Sequence, residues 1–115
     1  DDVIKTSKAT QDANKKKGAE TKTATDVFNL DTFAHATYRA ARYIVAMSRG
    51  TDFHSTEIML IHDGTTVSLT QYGVLQDNTL ATFDADISGA NVRLRCTPSS
   101  ATSTTIKFDR VVVDA

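Results

Sequence analysis

Residues 54–72 read HSTEIMLIHDGTTVSLTQY and contain two β-type segments on either side of Asp63-Gly64. The first segment, residues 54–62, is rich in large apolar side chains. The second, residues 66–72, alternates apolar with polar side chains, as a strand with one buried face does. Asp-Gly between two such segments is a strong hairpin signal, because both residues tolerate a positive φ. This stretch therefore predicts two antiparallel strands joined by a tight turn.

The same pattern recurs outward from this hairpin, from Asp26 to the end of the chain. Thr, Val and Ile are frequent, which favours pleated, half-buried strands. The segments with this pattern lie at residues 27–30, 43–47, 54–62, 66–72, 80–87, 92–97 and 104–113. Six or seven strands with short connections predict an all-β fold, an antiparallel β-sandwich. Residues 33–47 are rich in Ala and Arg, so a short helix or turn near residues 32–36 is the alternative prediction for part of this segment.

Two of the predicted strands have clearly distinct faces. Apolar side chains alternate with arginines in residues 92–97, and with Lys107 and Asp109 in the last strand. We therefore expect a core-facing set of side chains on these strands and a solvated set opposite. The expected core residues are Val92, Leu94, Cys96, Ile106 and Phe108.

The first 25 residues have a different composition. They contain six lysines and four acids, no aromatic residue, and only Val3 and Ile4 as large aliphatics. Such a segment buries too little apolar area to offset its ordering entropy. The sequence therefore predicts a flexible polar arm or linker at residues 1–25 and a β-sandwich domain at residues 26–115. The Lys15-Lys16-Lys17 run is typical of a solvated linker, since no aromatic side chain interleaves it.

Length and composition exclude several classes of protein. The chain has 115 residues, one cysteine and a formal net charge of −1. No apolar run is long enough for a transmembrane helix, no signal-peptide pattern opens the chain, and neither nucleic acid nor an anionic membrane is favoured as a partner. One cysteine excludes an intrachain disulfide. The sequence begins without Met, which is typical of a processed or excised piece of a longer protein.

Several ordered motifs between residues 26 and 113 resemble a known β-domain. The motifs are DTF at 31–33, TYRAARYIV at 37–45, TEIMLIHDGTT at 56–66, FDADISG at 83–89, NVRL at 91–94 and TTIK at 104–107. Together they are similar to a domain of virion structural and tail-fibre-like proteins of marine tailed phages, cyanophages among them. The resemblance implies a virion protein, such as a fibre, tail or capsid-decoration component. It carries no catalytic residue across to this chain.

The resemblance also implies partners. Other virion proteins and further copies of this chain are expected, with a trimer favoured, and a host surface receptor is an additional candidate partner. Edge strands of a small sandwich need cover against uncontrolled pairing, and beyond residue 25 only Lys107 is a lysine. We therefore expect other chains to cover the edges or one sheet face.

The candidate contact residues are Arg39, Arg42, Tyr43 and Tyr72. Arginine and tyrosine are enriched in protein interfaces, because both bury apolar surface while satisfying a polar end. The alternative is structural: a buried arginine needs an acidic partner, which Glu57 or Asp31 supplies. Strand periodicity sends Arg39 and Arg42 to opposite faces.

Metal and catalytic sites are not predicted. The spacings of His35, His54 and His62 fit no ligand motif, and we expect the His62 ring to cap the turn at Asp63-Gly64. The sequence that starts at Asp84 and Asp86 resembles the beginning of a calcium-binding loop, but it lacks the distal Glu of that motif. Both aspartates are expected on a solvated face, paired with the arginines of residues 92–97.

Two function classes compete with the virion structural role. A carbohydrate- or receptor-binding module of a phage adhesin would need an aromatic platform, and the chain has no Trp and three Tyr. A hydrolase would need converging titratable groups, and no nucleophile elbow, phosphate loop or dinucleotide fingerprint is present. The sequence therefore predicts a non-enzymatic protein without a cofactor.

Overall fold

The polypeptide forms two antiparallel β-sheets that pack face to face. The computed structural model describes residues 14–115. Its strands are β1 (Lys15–Lys22), β2 (Phe28–Ala34), β3 (Tyr38–Arg49), β4 (Asp52–His62), β5 (Val67–Gln76), β6 (Ala81–Ser88), β7 (Asn91–Pro98) and β8 (Thr104–Asp114). One sheet has the order β1-β8-β3-β4-β5 and the other β2-β7-β6. The predicted all-β sandwich is thus confirmed, with eight strands in place of six or seven.

The additional strand is β1, which lies within the segment predicted as an arm. The composition of residues 1–25 predicts no strand there, whereas Lys15–Lys22 pairs with β8 along its whole length. The physical reason is that an edge strand gains backbone hydrogen bonds without needing an apolar face of its own. The first part of the predicted arm, residues 1–13, lies outside the described residues. The division of the chain into an arm and a domain stays a prediction.

The β4–β5 hairpin forms where the sequence predicts it. The Asp63 carboxylate accepts backbone hydrogen bonds from Thr65 (2.9 Å) and Thr66 (2.8 Å), and Gly64 has a φ of 94°. The Gly64 N–H donates to His62 Nδ1 at 3.0 Å, which confirms the predicted cap. Hydrogen bonds from the backbone of Thr66 and Thr65 lower the pKa of Asp63 to about 2.

Residues 32–36, where a short helix or turn is the alternative prediction, form the end of a strand and the start of a turn. Strand β2 extends to Ala34, and residues 35–37 form a turn in which the Thr37 N–H donates to the Ala34 carbonyl at 3.0 Å. The ladder to β7 holds residues 32–34 in a strand, and residues 14–115 contain no helix. The described part of the chain accordingly offers no helix that is long and apolar enough to cross a membrane.

The core lies between the two sheets. The five residues predicted to face inward from β7 and β8 are all buried, with at most 4% of their surface exposed. They pack against alternate residues of β3 and β4, among them Val45, Ile58 and Leu60. Burial raises the pKa of the Cys96 thiol to about 12, so this thiol stays protonated at neutral pH.

Candidate interaction surface

The outward faces of the two sheets differ in chemistry. On the three-stranded sheet, Asp84 lies opposite Arg95 and Asp86 lies opposite Arg93. Asp86 Oδ1 accepts from Arg93 Nε at 2.7 Å, and Arg95 reaches both carboxylates at 3.5–3.9 Å. The hydrogen bond from Arg93 lowers the pKa of Asp86. This confirms the predicted aspartate–arginine pairing on a solvated face.

The outward face of the five-stranded sheet carries a group of exposed large apolar side chains. We call this surface the apolar outer face; its large side chains come from β3, β4 and β8 and are 41–61% exposed: Ile44, Met59, Ile61, Val111 and Val113. Isolated exposed apolar side chains are ordinary on proteins, but a contiguous group is typical of an interaction site.

The strand register brings these side chains side by side. Met59 of β4 lies opposite Arg42 of β3, which lies opposite Val111 of β8. Two residues further along each strand, on the same face, Ile61 and Val113 flank the small Ala40. The small side chain at the centre leaves an apolar depression of about 360 Å³ between β3, β4 and β5. Such a depression is able to receive an apolar side chain of another protein.

A polar cluster borders the apolar side chains on the β5 side. Glu57 lies opposite Tyr72 in the ladder and opposite Ile44 on its other side. A hydrogen bond to Glu57 raises the pKa of Tyr72, while the charge of Arg42 acts in the opposite direction. Apolar side chains together with Met, arginine and tyrosine are the usual composition of a protein interface.

A shallow groove borders the same face at its β1 edge. It has a volume of about 550 Å³ and lies between β1, β8 and β3, with Lys17, Lys107, Asp109 and Ile44 in its wall. The apolar outer face is thus flanked by lysines on one side and by Glu57 and Tyr72 on the other.

The four predicted contact residues occupy three different environments. Arg42 and Tyr72 lie together on the outward face of the five-stranded sheet. Arg39 is also exposed, and its guanidinium donates to the His62 carbonyl at 3.1 Å. The register shift between Tyr38 and Ala40 accounts for this, because the extra residue in β3 breaks the strict alternation that would bury Arg39. Contacts of these three residues with another chain stay a prediction.

Tyr43 is completely buried and does not reach the surface of residues 14–115. Its hydroxyl donates to Asp31 Oδ2 at 2.8 Å. Burial and the negative charge of Asp31 raise the pKa of Tyr43, so the phenol remains neutral. Tyr43 is therefore a core residue, as expected from its alternation along β3 with the exposed Arg42 and Ile44.

Asp31 is the centre of a buried charge cluster. Besides Tyr43, it binds Arg110 Nη1 of β8 at 2.9 Å and Lys16 Nζ of β1 at 2.5 Å. Of the two acids predicted as partners of a buried arginine, Asp31 pairs with neither Arg39 nor Arg42, because the Arg39 guanidinium donates to the His62 carbonyl and Arg42 lies on the outward face. The side chains of Phe33 and Tyr38 pack on the Arg110 guanidinium. The cluster links β2 of the three-stranded sheet to three strands of the five-stranded sheet, and its role is therefore structural.

Sequence reasoning predicted that other chains cover the edges or one sheet face, but it did not identify the apolar side chains of that face, although the sequence contains a signal for them. Strands covered on one face alternate between apolar and polar residues, whereas strands covered on both faces form continuous apolar runs. Residues 43–47, 58–61 and 111–113 are such runs, and they lie in the three central strands of the five-stranded sheet. These runs indicate that both faces of this sheet are built to be covered.

The histidines do not converge on a metal site. Among residues 14–115 no three His, Cys, Asp or Glu side chains lie close enough together to hold a metal ion. His54 Nδ1 accepts from the Leu80 N–H at 3.1 Å, and its burial lowers its pKa. His35 lies beside His62, with ring centres 6.0 Å apart.

Comparisons with known proteins give structural neighbours alone. No protein-family model and no curated protein matches the sequence. The fold is similar to part of the Acinetobacter baumannii phage AM24 tailspike, with 10% identity and a TM-score of 0.45 over 92% of this chain. It is also similar to part of the Acinetobacter phage vB_ApiP_P1 tailspike, with 18% identity and a TM-score of 0.49 over 88%.

A third neighbour is the tailspike gp49 of the Acinetobacter baumannii bacteriophage Fri1, described as a capsular polysaccharide depolymerase. Its identity is 16% and its TM-score 0.37, over 84% of this chain. The chain spans between 17% and 27% of the length of these three tailspikes.

Proposed function

We propose that this chain is a non-catalytic structural component of a tailed-phage virion, held in place by protein–protein contacts through the apolar outer face. The motifs between residues 26 and 113 support the virion assignment through their resemblance to virion structural proteins. The surface chemistry supports the mode of action. The partners are other virion proteins and further copies of the chain, in a fibre, tail or capsid-decoration position.

The observation that carries this proposal is the contrast between the two outward faces. The three-stranded sheet presents the Asp86–Arg93 ion pair, whose side chains are partly exposed and satisfy each other's charge. The five-stranded sheet presents Met59, Ile61 and Val113, each about half exposed or more. Covering apolar side chains is favourable by about 25 cal/mol per Å² of area removed from water. Covering the five-stranded sheet with another protein therefore gains more free energy than covering the three-stranded sheet.

The test places a charge at the centre of the apolar outer face. Met59→Glu is suited to this, because Met59 is about half exposed and lies opposite Arg42, so we expect the isolated chain to tolerate the new carboxylate. The matched control is Thr82→Glu, at an exposed position of the three-stranded sheet. Particles assembled in the presence of equal amounts of tagged wild-type and variant chain are purified, and the bound chains are quantified by mass spectrometry.

We expect wild type and Thr82→Glu to be incorporated equally and Met59→Glu to be reduced at least about tenfold, since desolvating the added carboxylate in the contact costs more than about 1.4 kcal/mol even beside Arg42. Absence of the wild-type chain from purified particles would overturn the virion assignment. Binding of a host surface polysaccharide by a chain that is absent from particles would favour the receptor-binding module instead. Equal incorporation of all three chains would exclude the apolar outer face as the contact.

A further inference from the structure

The β5 edge of the five-stranded sheet is exposed and uncharged. Strand β5 is the last strand of its sheet, and every residue from Thr70 to Gln76 is exposed. Its sequence, VSLTQYGVLQ, contains no charged residue and no proline. Within residues 14–115, the backbone hydrogen bonds of Val67–Tyr72 go to β4, so the opposite side of this strand presents unpaired N–H and C=O groups. Such an edge is a template for pairing with another strand.

The other edge strands all carry features that oppose pairing. Strand β1 bears four lysines, and β6 bears Asp84 and Asp86. Strand β2 has the inward-pointing charge of Asp31 and a register shift between Asn29 and Asp31. Lysines, inward charges and bulges are the usual devices that protect a sheet edge. Among the described strands, β5 is the edge without a charge.

Charge also decides which partner fits this edge. When an edge strand pairs with its own copy across a two-fold axis, each charge on it faces like charges on the partner, which is unfavourable. Paired in this way, β1 would place lysines beside lysines, and β6 would place aspartates beside aspartates. Strand β5 places Ser, Thr, Gln and apolar side chains beside one another. It is the described edge that is able to pair with itself without a charge conflict.

We propose that β5 pairs antiparallel with β5 of a second copy, which joins the two five-stranded sheets into one. The regular part of the pairing strand is Val67–Tyr72, because the ladder between β4 and β5 shifts register after Tyr72 at Gly73, where φ is 61°. Six residues are an ordinary strand length. The joined sheet brings the Met59 and Tyr72 sides of both copies together and doubles the apolar outer face. This inference rests on the self-assembly part of the proposed function and names its contact.

The two-fold pairing predicts a dimer, in contrast to the trimer that the family resemblance favours. Analytical ultracentrifugation of the full chain is expected to show a species of about 25 kDa, twice the 12.5 kDa of one chain. Hydrogen exchange at the backbone of Val67–Tyr72 is expected to slow as the protein concentration rises, because the edge N–H groups become paired. A monomer at all concentrations, or a trimer, would overturn the proposal.

Two variants locate the contact. Ser68→Lys/Thr70→Lys adds two charges to β5 at exposed positions, and Thr82→Lys/Ser88→Lys adds the same charges to the exposed β6 edge. The β5 variant is expected to raise the dissociation constant of the dimer at least about tenfold and the β6 variant to leave it unchanged. Circular dichroism melts establish that both are folded. Equal effects of the two variants, or no effect of either, would overturn the assignment to β5.

A charge-complementation experiment tests whether the β5 strands of the two copies lie beside each other. Mixing the Ser68→Lys/Thr70→Lys chain with a Ser68→Glu/Thr70→Glu chain is expected to restore dimers, because unlike charges then lie across the pair. Failure to restore them would contradict strand pairing at this edge.

The N-terminal residues are the competing occupant of the edge. Residues 1–13 are able to span up to about 45 Å when extended, and β1 and β5 lie four strand spacings apart, about 19 Å. Loss of the dimer on deletion of residues 1–13 would assign the contact to that segment. Whatever the result in solution, absence of the chain from virions contradicts only the proposed function.

Discussion

At the residue scale, the Asp31 carboxylate decides how the two sheets are joined. It lies on β2 with no side-chain surface exposed and accepts from Tyr43 of β3, Arg110 of β8 and Lys16 of β1. Burying a carboxylate is costly unless opposite charges and hydrogen-bond donors surround it. Here all three donors come from the five-stranded sheet, so the charge fixes the position of one sheet on the other.

Replacing Asp31 with Ala is therefore expected to destabilise the protein by about 3–5 kcal/mol, because Arg110 is left as an uncompensated buried charge. Lys16→Ala is the matched control; the Lys16 side chain is 46% exposed, so its loss is expected to cost less than about 1 kcal/mol. Urea unfolding monitored by circular dichroism gives both values. Equal losses for the two variants would show that burial does not control the strength of this cluster.

Asp63 gives the β4–β5 turn a dependence on pH. Its folded-state pKa of about 2 is below the ordinary value, so the ionised carboxylate stabilises the turn fully above about pH 4. The stabilisation is lost as the pH falls from about 4 towards 2. We expect the melting temperature of wild type to fall more steeply over this interval than that of Asp63→Asn, which keeps an acceptor but does not titrate. Parallel curves for the two proteins would contradict this role.

At the scale of elements, β1 is held by its ladder to β8 and by contacts of Lys16 and Gly18. Its ladder to β8 supplies backbone hydrogen bonds, and Gly18 lies directly against the Phe108 ring. A Cβ added to Gly18 would overlap this ring, which is itself packed edge-to-face on Tyr43. The absence of a side chain at residue 18 is thus what lets a lysine-rich segment lie on the core.

Gly18→Ala is expected to weaken the attachment of β1 by about 1–2 kcal/mol, because Phe108 must move to admit the methyl group. Trypsin cleavage after the lysines of β1 is then expected to accelerate about 5- to 30-fold. Ala19→Ser, at the exposed neighbouring position, is the control. If wild type is cut at these lysines as fast as Gly18→Ala, the segment behaves as the flexible arm that the composition of residues 1–25 predicts.

At the scale of the whole molecule, the two outward faces differ in polarity, and the proposed association places the apolar outer face within the contact. Contacts made through apolar side chains depend weakly on ionic strength, whereas contacts between exposed charges are screened within about 10 Å at 0.1 M salt. We expect self-association to be unchanged between about 0.05 and 0.5 M sodium chloride and to strengthen in sodium sulfate, which favours apolar burial. Sedimentation velocity measures both. Dissociation in high salt would instead assign the contact to Arg42, Glu57 and the lysines of β1.

The amino-acid sequence by itself determined the class of fold and much of its local detail. Alternation in residues 92–97 predicted which side chains enter the core, and Asp63-Gly64 predicted the hairpin and its His62 cap. The Asp86–Arg93 pairing was also predictable, since both residues lie at polar positions of adjacent strands. Signals of this kind are local, because strand periodicity and turn chemistry depend on neighbouring residues.

Only the tertiary structure decided which strands lie at an edge, which lie at the centre, and which charges meet. The pairing of β1 with β8 joins residues about ninety positions apart, and no local pattern encodes it. Tyr43 and Arg42 are adjacent in sequence, yet one donates to Asp31 in the core and the other lies on the outward face. The apolar outer face exists because β3, β4 and β8 are neighbours, and the uncharged edge exists because β5 comes last. Both follow from strand order, which is set by long-range packing.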